Sequence, residues 1–193
     1  PKDIPALITK LAYLKDESTM WYVQFGLESQ GKWAPRFVGL TPDKKRLQNR
    51  VSAVEMMAEG DTFFADGPMA GRFKFLRIEE RPVKSERTGL EQQVKFGIYE
   101  DLKPSKAGDI YESQAGLPEA ELERKAYYDR TAVLELRAIG YEGKEFKVEE
   151  RTKFALPPDS KEKNYLLKKV TIEGIEVEYT DASGETKTIE IKK

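Results

Sequence analysis

The 193-residue sequence predicts an α+β chain that is mainly β, built as two small antiparallel units, sandwich- or barrel-like, with one or two helices. Three observations lead there. Apolar residues alternate at period two in most hydrophobic runs, and those runs are rich in β-branched and aromatic side chains, which suit a pleated, half-buried surface. Only two stretches place apolar residues at helical spacing behind a start signal. Between 101 and 118 the composition shifts to Pro104, Ser105, Gly108, Ser113 and Gly116 with few large hydrophobes. That stretch reads as a linker or long surface loop and divides the chain into units at 1–102 and 103–193.

The elements follow in order. Residues 9–15 alternate, with Leu11 and Tyr13 on one side, and Asp16-Glu17-Ser18-Thr19 supplies a polar turn. The return run at 20–27 puts Trp21, Val23, Phe25 and Leu27 on one face. Thr41-Pro42-Asp43 has the form of an N-cap, a proline at the first helical position and an acid in the first turn. Leu47, Val51, Val54 and Ala58 then recur at helical spacing until Gly60, predicting a helix over about 42–59. Strands are predicted at 73–78, 83–86, 93–99, 131–139, 146–150, 165–172, 175–179 and 187–191, with a second helix over 118–128 around Leu122 and Ala126. The core of the first unit is expected to hold Val23, Phe25, Phe73, Phe75, Ile78 and Val94.

The run 73–78 resembles 165–170, and Val94-Lys95-Phe96 resembles Ile189-Glu190-Ile191, each pair of strands enclosing a glycine turn at Gly89 or Gly184. Gln30-Gly31-Lys32-Trp33 also resembles Glu142-Gly143-Lys144-Glu145-Phe146. The matches fit either an internal duplication or the general likeness of β-hairpins to one another.

Composition narrows the function classes. Charged residues make up 35% and hydrophobic ones 39%, and no run approaches the ~20 apolar residues of a membrane span. Thirty-three basic against 34 acidic residues leave a net charge of −1, so no global field favours nucleic acid or an anionic membrane. With neither cysteine nor histidine, disulfides, thiolate nucleophiles, imidazole bases and histidine metal ligands are excluded. The sequence opens at Pro1 and not at Met, so a cleaved or omitted upstream segment is expected.

No constellation of residues points to catalysis, and no catalytic, cofactor-binding or metal-ligating residue is assigned; no cofactor is expected. Gly67-Pro68-Met69-Ala70-Gly71 lacks the Lys-Ser/Thr pair of a phosphate loop and reads as a connection. Asp61 and Asp66 flank Phe63-Phe64 without calcium-loop spacing. Glu79-Glu80 and Glu149-Glu150 are adjacent acids on strands, where neighbours point to opposite faces and do not converge as a glycosidase pair would. Basic and acidic residues alternate, as in Arg77-Ile78-Glu79-Glu80-Arg81, so no track for nucleic acid emerges. A glycan platform would need Trp33 or Tyr127-Tyr128 exposed, and aromatics in such positions, Trp21 among them, read first as core.

Two regions carry a family likeness. One runs from Val54 through Glu59-Gly60-Asp61 to Gly71-Arg72-Phe73-Lys74-Phe75-Leu76-Arg77-Ile78. The other joins Leu166-Leu167-Lys168-Lys169-Val170, Gly174-Ile175-Glu176-Val177-Glu178-Tyr179, Gly184 and Thr188-Ile189-Glu190-Ile191. This series resembles the homology-region β-domains of the inner-membrane lipoprotein of type IV pilus assembly and of its type II secretion counterpart. The whole chain resembles a small protein of a type IV pilus-like gene locus. It departs from the pattern in carrying the Gly-Asp element only in its first half, with Pro157-Pro158-Asp159 in the second. The resemblance implies a non-enzymatic structural or assembly component of a bacterial cell-envelope machine, periplasmic or at the cell surface. It implies protein partners, among them a secretin or other pilus subunits, met through a sheet edge. The alternative expectation is a glycan-binding cell-surface module.

The sharpest expectation concerns the last hairpin. Asp181-Ala182-Ser183-Gly184 suits a type I turn closed by a bulge, with Gly184 left-handed. Asp181 then pairs with Glu185, Tyr179 with Lys187, Val177 with Ile189 and Ile175 with Ile191, so the apolar faces coincide.

Overall fold

The computed structural model describes residues 7–52 and 54–193. It is 55% strand and 6% helix in antiparallel sheets, so the chain is mainly β with minor helix. Two compact units form, divided differently from the expected cut at 102/103. One is the continuous stretch Thr19–Tyr128, here the inserted unit; the other, the split unit, joins residues up to Ser18 to Asp129–Lys193. The expected linker is not one: residues 104–106 form a turn of 3-10 helix, and Ile110–Gln114 is a strand hydrogen-bonded into a sheet. Glycines and serines there terminate short elements and do not disorder the chain.

Strand β1 (Leu11–Ser29) runs through both units. The polar residues 16–19 therefore lie within a strand and do not turn it. In the inserted unit its later half pairs with β2 (Lys32–Leu40), across the Gln30-Gly31 turn, in which both residues have positive φ, +53° and +78°. Strand β2 pairs in turn with β3 (Arg46–Arg50). A second sheet has the order β4 (Thr62–Phe63), β5 (Phe73–Lys84), β6 (Glu91–Asp101) and β7 (Ile110–Gln114). Period-two alternation on β1 buries Trp21, Val23 and Phe25 against Trp33, Phe37, Phe63, Phe64, Phe73, Phe75, Tyr99 and Tyr111. Leu27, expected on that face, is 52% exposed because the β1–β2 register shifts between Phe25 and Glu28. Ile78 and Val94 are half-buried, since a bulge after Phe75 and the outward extension of the β5–β6 hairpin carry them past the aromatic centre.

The helix expected over 42–59 does not form. Thr41 N–H bonds to the Lys45 carbonyl at 2.9 Å, Lys44 N–H bonds to the Thr41 carbonyl, and Lys45 N–H donates to the Thr41 hydroxyl. The physical reason is a shared chemistry. A type I turn uses near-helical φ/ψ, accepts proline at its second position and favours a side-chain acceptor at its first, as a helix N-terminus does. Lys44 then takes φ +67°, which ends the turn and starts β3. Ala53, within the expected helix, and residues 1–6, within the expected first unit, lie outside the described residues. The second expected helix is shortened to α1 (Glu119–Arg124), whose Leu122 is buried with Tyr22 and Val38. An ion pair from Arg36 to Glu119 anchors its first turn.

The inserted unit also buries a charge pair. Asp101, 0% exposed, accepts from Arg72 Nε at 3.2 Å, Arg72 Nη2 at 3.0 Å, Tyr111 Oη at 2.8 Å and Lys103 N–H at 3.0 Å. The Arg72 guanidinium lies 4.9 Å from the ring centroids of both Trp21 and Phe73. Several charge-assisted bonds and ring contacts together offset the desolvation that an isolated buried pair would suffer.

In the split unit the first half of β1 precedes β8 (Tyr127–Leu136), whose first two residues still belong to the inserted unit, and β9 (Glu145–Glu149) in sheet order. A second sheet has the order β10 (Thr152–Phe154), β11 (Tyr165–Val170), β12 (Gly174–Thr180) and β13 (Thr186–Lys192). Leu11, Tyr13, Leu134 and Leu136 from the first pack with Leu167, Ile175, Val177 and Tyr179 from the second, as in a sandwich. Tyr13 Oη donates to the Thr171 carbonyl at 2.7 Å, and burial, with the Asp16 carboxylate nearby, pushes its phenol up to about 12. The proposed internal matches do not carry through the topology: β6 pairs with β5, whereas β13 pairs with β12 and not with β11.

Candidate docking edge

The last hairpin has the expected register throughout: Val177 faces Ile189, Ile175 faces Ile191 and Tyr179 faces Lys187. Asp181 N–H bonds to the Glu185 carbonyl at 2.8 Å, Gly184 N–H to the Asp181 carbonyl at 3.1 Å, and Gly184 has φ +86°. One carboxylate oxygen of Asp181 accepts from the Ser183 hydroxyl and from the Ser183 and Glu185 N–H groups; the other lies 3.0 Å from Lys187 Nζ. The Ser183 hydroxyl first, then Lys187 and these N–H groups, hold the Asp181 carboxyl well below the usual carboxylate range.

This turn fixes which side of β13 is free. The bond at its start is Asp181 to Glu185, and the bond at its end runs from Lys193 N–H to the Glu173 carbonyl at 3.0 Å. Antiparallel ladders alternate, so the odd residues from 187 to 193 bond toward β12. The backbone N–H and C=O groups of Thr186, Thr188, Glu190 and Lys192 then point away, on the outermost strand of its sheet. Ile189 and Ile191 turn inward and pack against the core. The outer face of the same sheet is hollowed by a depression of about 500 Å³ whose lining includes Lys153, Leu166, Glu178, Thr180 and Thr186. An extended segment added to β13 would find a complete row of main-chain partners with alternating side-chain chemistry beside it.

The residues weighed for other chemistry are placed elsewhere. Glu79 accepts from Arg77 and Arg81, Arg81 first, and both hold its carboxyl below the ordinary value. Glu150 accepts the Val170 N–H at 2.7 Å, while the Glu149 carbonyl accepts from the Thr152 hydroxyl. Asp61 caps a turn through the Ala58 N–H. The Gly67–Gly71 loop is tied down by Asn49, which donates to the Asp66 carbonyl and accepts from the Met69 N–H. Trp21 and Trp33 are core residues; the Tyr127 ring packs tilted against Tyr111 with centroids 4.6 Å apart, and Tyr128 is exposed. Among the described residues no group of three or more acidic side chains is gathered to hold a metal ion. No helix among them is long and apolar enough to cross a membrane.

The hairpin was legible in sequence, but the free edge was not, because it depends on which strand ends the sheet. The Arg72–Asp101 pair was also missed; its only sequence signal is an arginine directly before a strand of core aromatics. Comparison with protein-family models, with curated proteins and with solved structures finds no match.

Proposed function

We propose that this chain is a non-enzymatic structural or assembly component of a bacterial cell-envelope machine of the type IV pilus kind. It works in the periplasm or at the cell surface through protein–protein contacts. The observation that carries this reading is the open edge of β13, where Thr186, Thr188, Glu190 and Lys192 present unengaged main-chain groups beside a hollowed sheet face. The strands β11 to β13 form one of the two regions whose sequence resembles the homology-region β-domains, the other being residues 54–78. The partner is an extended segment of another subunit of the machine, paired along this edge.

The test uses a photo-cross-linking side chain at position 190 in cells that make the protein, with and without Thr188→Pro. That proline removes an outward N–H and leaves the ladder to β12 intact. Cross-linking to a pilus or secretion subunit, abolished by Thr188→Pro, is expected. Cross-links that survive the proline, or that reach only proteins outside such an assembly, overturn the reading.

A further inference from the structure

Two rows of side chains with different chemistry flank the free side of β13. On the inner face Ile189 and Ile191 pack against the core yet stay only half-buried, since β13 is the outermost strand of its sheet. On the outer face the row is Thr186, Thr188, Glu190 and Lys192, all exposed. A segment added to this edge alternates in the same way. Its inward residues lie beside the two isoleucines and its outward residues beside the polar row.

The polar row fixes a charge at one position. Glu190 stands directly opposite Glu176 on β12, and Glu176 in turn stands opposite Lys169 on β11. Across this rung the order is base, acid, acid, and then the free edge. Like charges directly opposite each other are destabilising. Lys169 flanks Glu176 alone, and the Glu190 carboxylate has no hydrogen-bond or ion-pair partner among the described residues. The nearby lysines are committed elsewhere: Lys168 lies 3.9 Å from Glu178, and Lys187 3.0 Å from Asp181. An outward side chain paired with Glu190 would start ~5 Å from it, ~7–8 Å from its diagonal neighbour Lys192, and about 10 Å, two strand spacings, from Glu176. The nearest charge is negative and the two further ones oppose each other, so a cation is favoured there and a carboxylate disfavoured. Apolar residues on either side of that cation would cover the exposed parts of Ile189 and Ile191.

We infer, resting on the reading of β13 as the docking edge, that the partner's segment is a strand with a lysine or arginine in register with Glu190, between two apolar residues. The probes are two capped peptides with the cores Thr-Val-Lys-Val-Thr and Thr-Val-Glu-Val-Thr, each reading the same in both directions and so indifferent to strand polarity. Each is titrated into the whole 193-residue protein, with binding followed by NMR at the outward amides of Thr188 and Glu190. The lysine peptide is expected to shift these amides and to bind about tenfold more tightly than the glutamate peptide at low salt, the difference narrowing as salt is added. Glu190→Lys is expected to reverse the order, and Glu190→Gln to bring the two affinities together. Both variants alter an exposed side chain and relieve its repulsion with Glu176, and the amide spectrum checks that they fold. Equal affinity for the two peptides, or an order unchanged in Glu190→Lys, overturns the inferred charge and leaves the docking edge standing. No shift from either peptide would mean that Glu190 and Lys192 only guard the edge against pairing, and would overturn the docking edge as well.

Discussion

Gly97 sits on β6 opposite Ile78, and a methyl group built there would lie 2.6–2.7 Å from three atoms of the Phe25 ring. Ordinary contact begins at 3.4 Å, so the ring must retreat by about 0.8 Å. It has nowhere to go. Phe25 is fully buried, with the rings of Phe75, Tyr99, Trp33 and Phe63 centred 5.4, 5.9, 6.1 and 6.4 Å away. Alanine normally gains ~0.5–1 kcal/mol over glycine inside a strand. Here overpacking of about 1–3 kcal/mol opposes that gain, and the depth of the overlap places the cost toward the upper end. Gly97→Ala is therefore expected to destabilise the inserted unit by about 2 kcal/mol, roughly 1 M in urea midpoint at an m-value of ~2 kcal/mol/M. Both tryptophans, Trp21 and Trp33, belong to that unit, so their fluorescence reads its unfolding selectively. Phe25→Leu opens the space the methyl needs, and in that background Gly97→Ala should cost less by about 1 kcal/mol or more. An unchanged or raised midpoint, or strict additivity of the two substitutions, would refute the steric argument.

Asp101→Ala leaves the Arg72 guanidinium buried between two rings without its carboxylate, and is expected to destabilise the inserted unit by about 3–5 kcal/mol in the same urea assay. Lys44→Gly and Gly184→Ala should act with opposite sign at the equivalent position of two similar turns. The first relieves a lysine at φ +67°, gaining ~0.5–1 kcal/mol, and the second strains an alanine at φ +86°, losing about 1 kcal/mol or more, both measured as thermal midpoints. Because the Asp181 pKa is depressed in the fold, its bonds stabilise above the unfolded value of ~3.9 and are lost as pH falls below it. Unfolding of Asp181→Asn, followed by circular dichroism from pH 5 to 2, should show a shallower acid loss than the parent protein; parallel curves would refute that role.

Local signals reported local structure faithfully. Alternation placed Trp21, Val23 and Phe25 on the buried face, and the Asp181–Gly184 turn chemistry fixed a register that holds to Ile191. Trouble came where two structures share one signal. Thr41-Pro42-Asp43 begins a helix or a type I turn with the same φ/ψ and the same side-chain acceptor, and only the conformation of Lys44 separates them. The polar run at 16–19 looked like a turn because nothing local shows that a strand will pass from one unit into another. Long-range facts were invisible for the same reason. The Arg72–Asp101 pair joins residues 29 positions apart.

The path of β1 has a mechanical consequence. The chain enters the inserted unit after Ser18 and leaves it after Tyr128, so both ends of the described chain belong to the split unit. Tension applied between those ends is transmitted across the split unit's strands, while residues 19–128 form a slack loop outside the load path. The aromatic core and its buried ion pair carry no force until the first half of β1 has been pulled free of the split unit. A tether through both ends would thus make the split unit the fuse and leave the inserted unit intact at forces that open its neighbour.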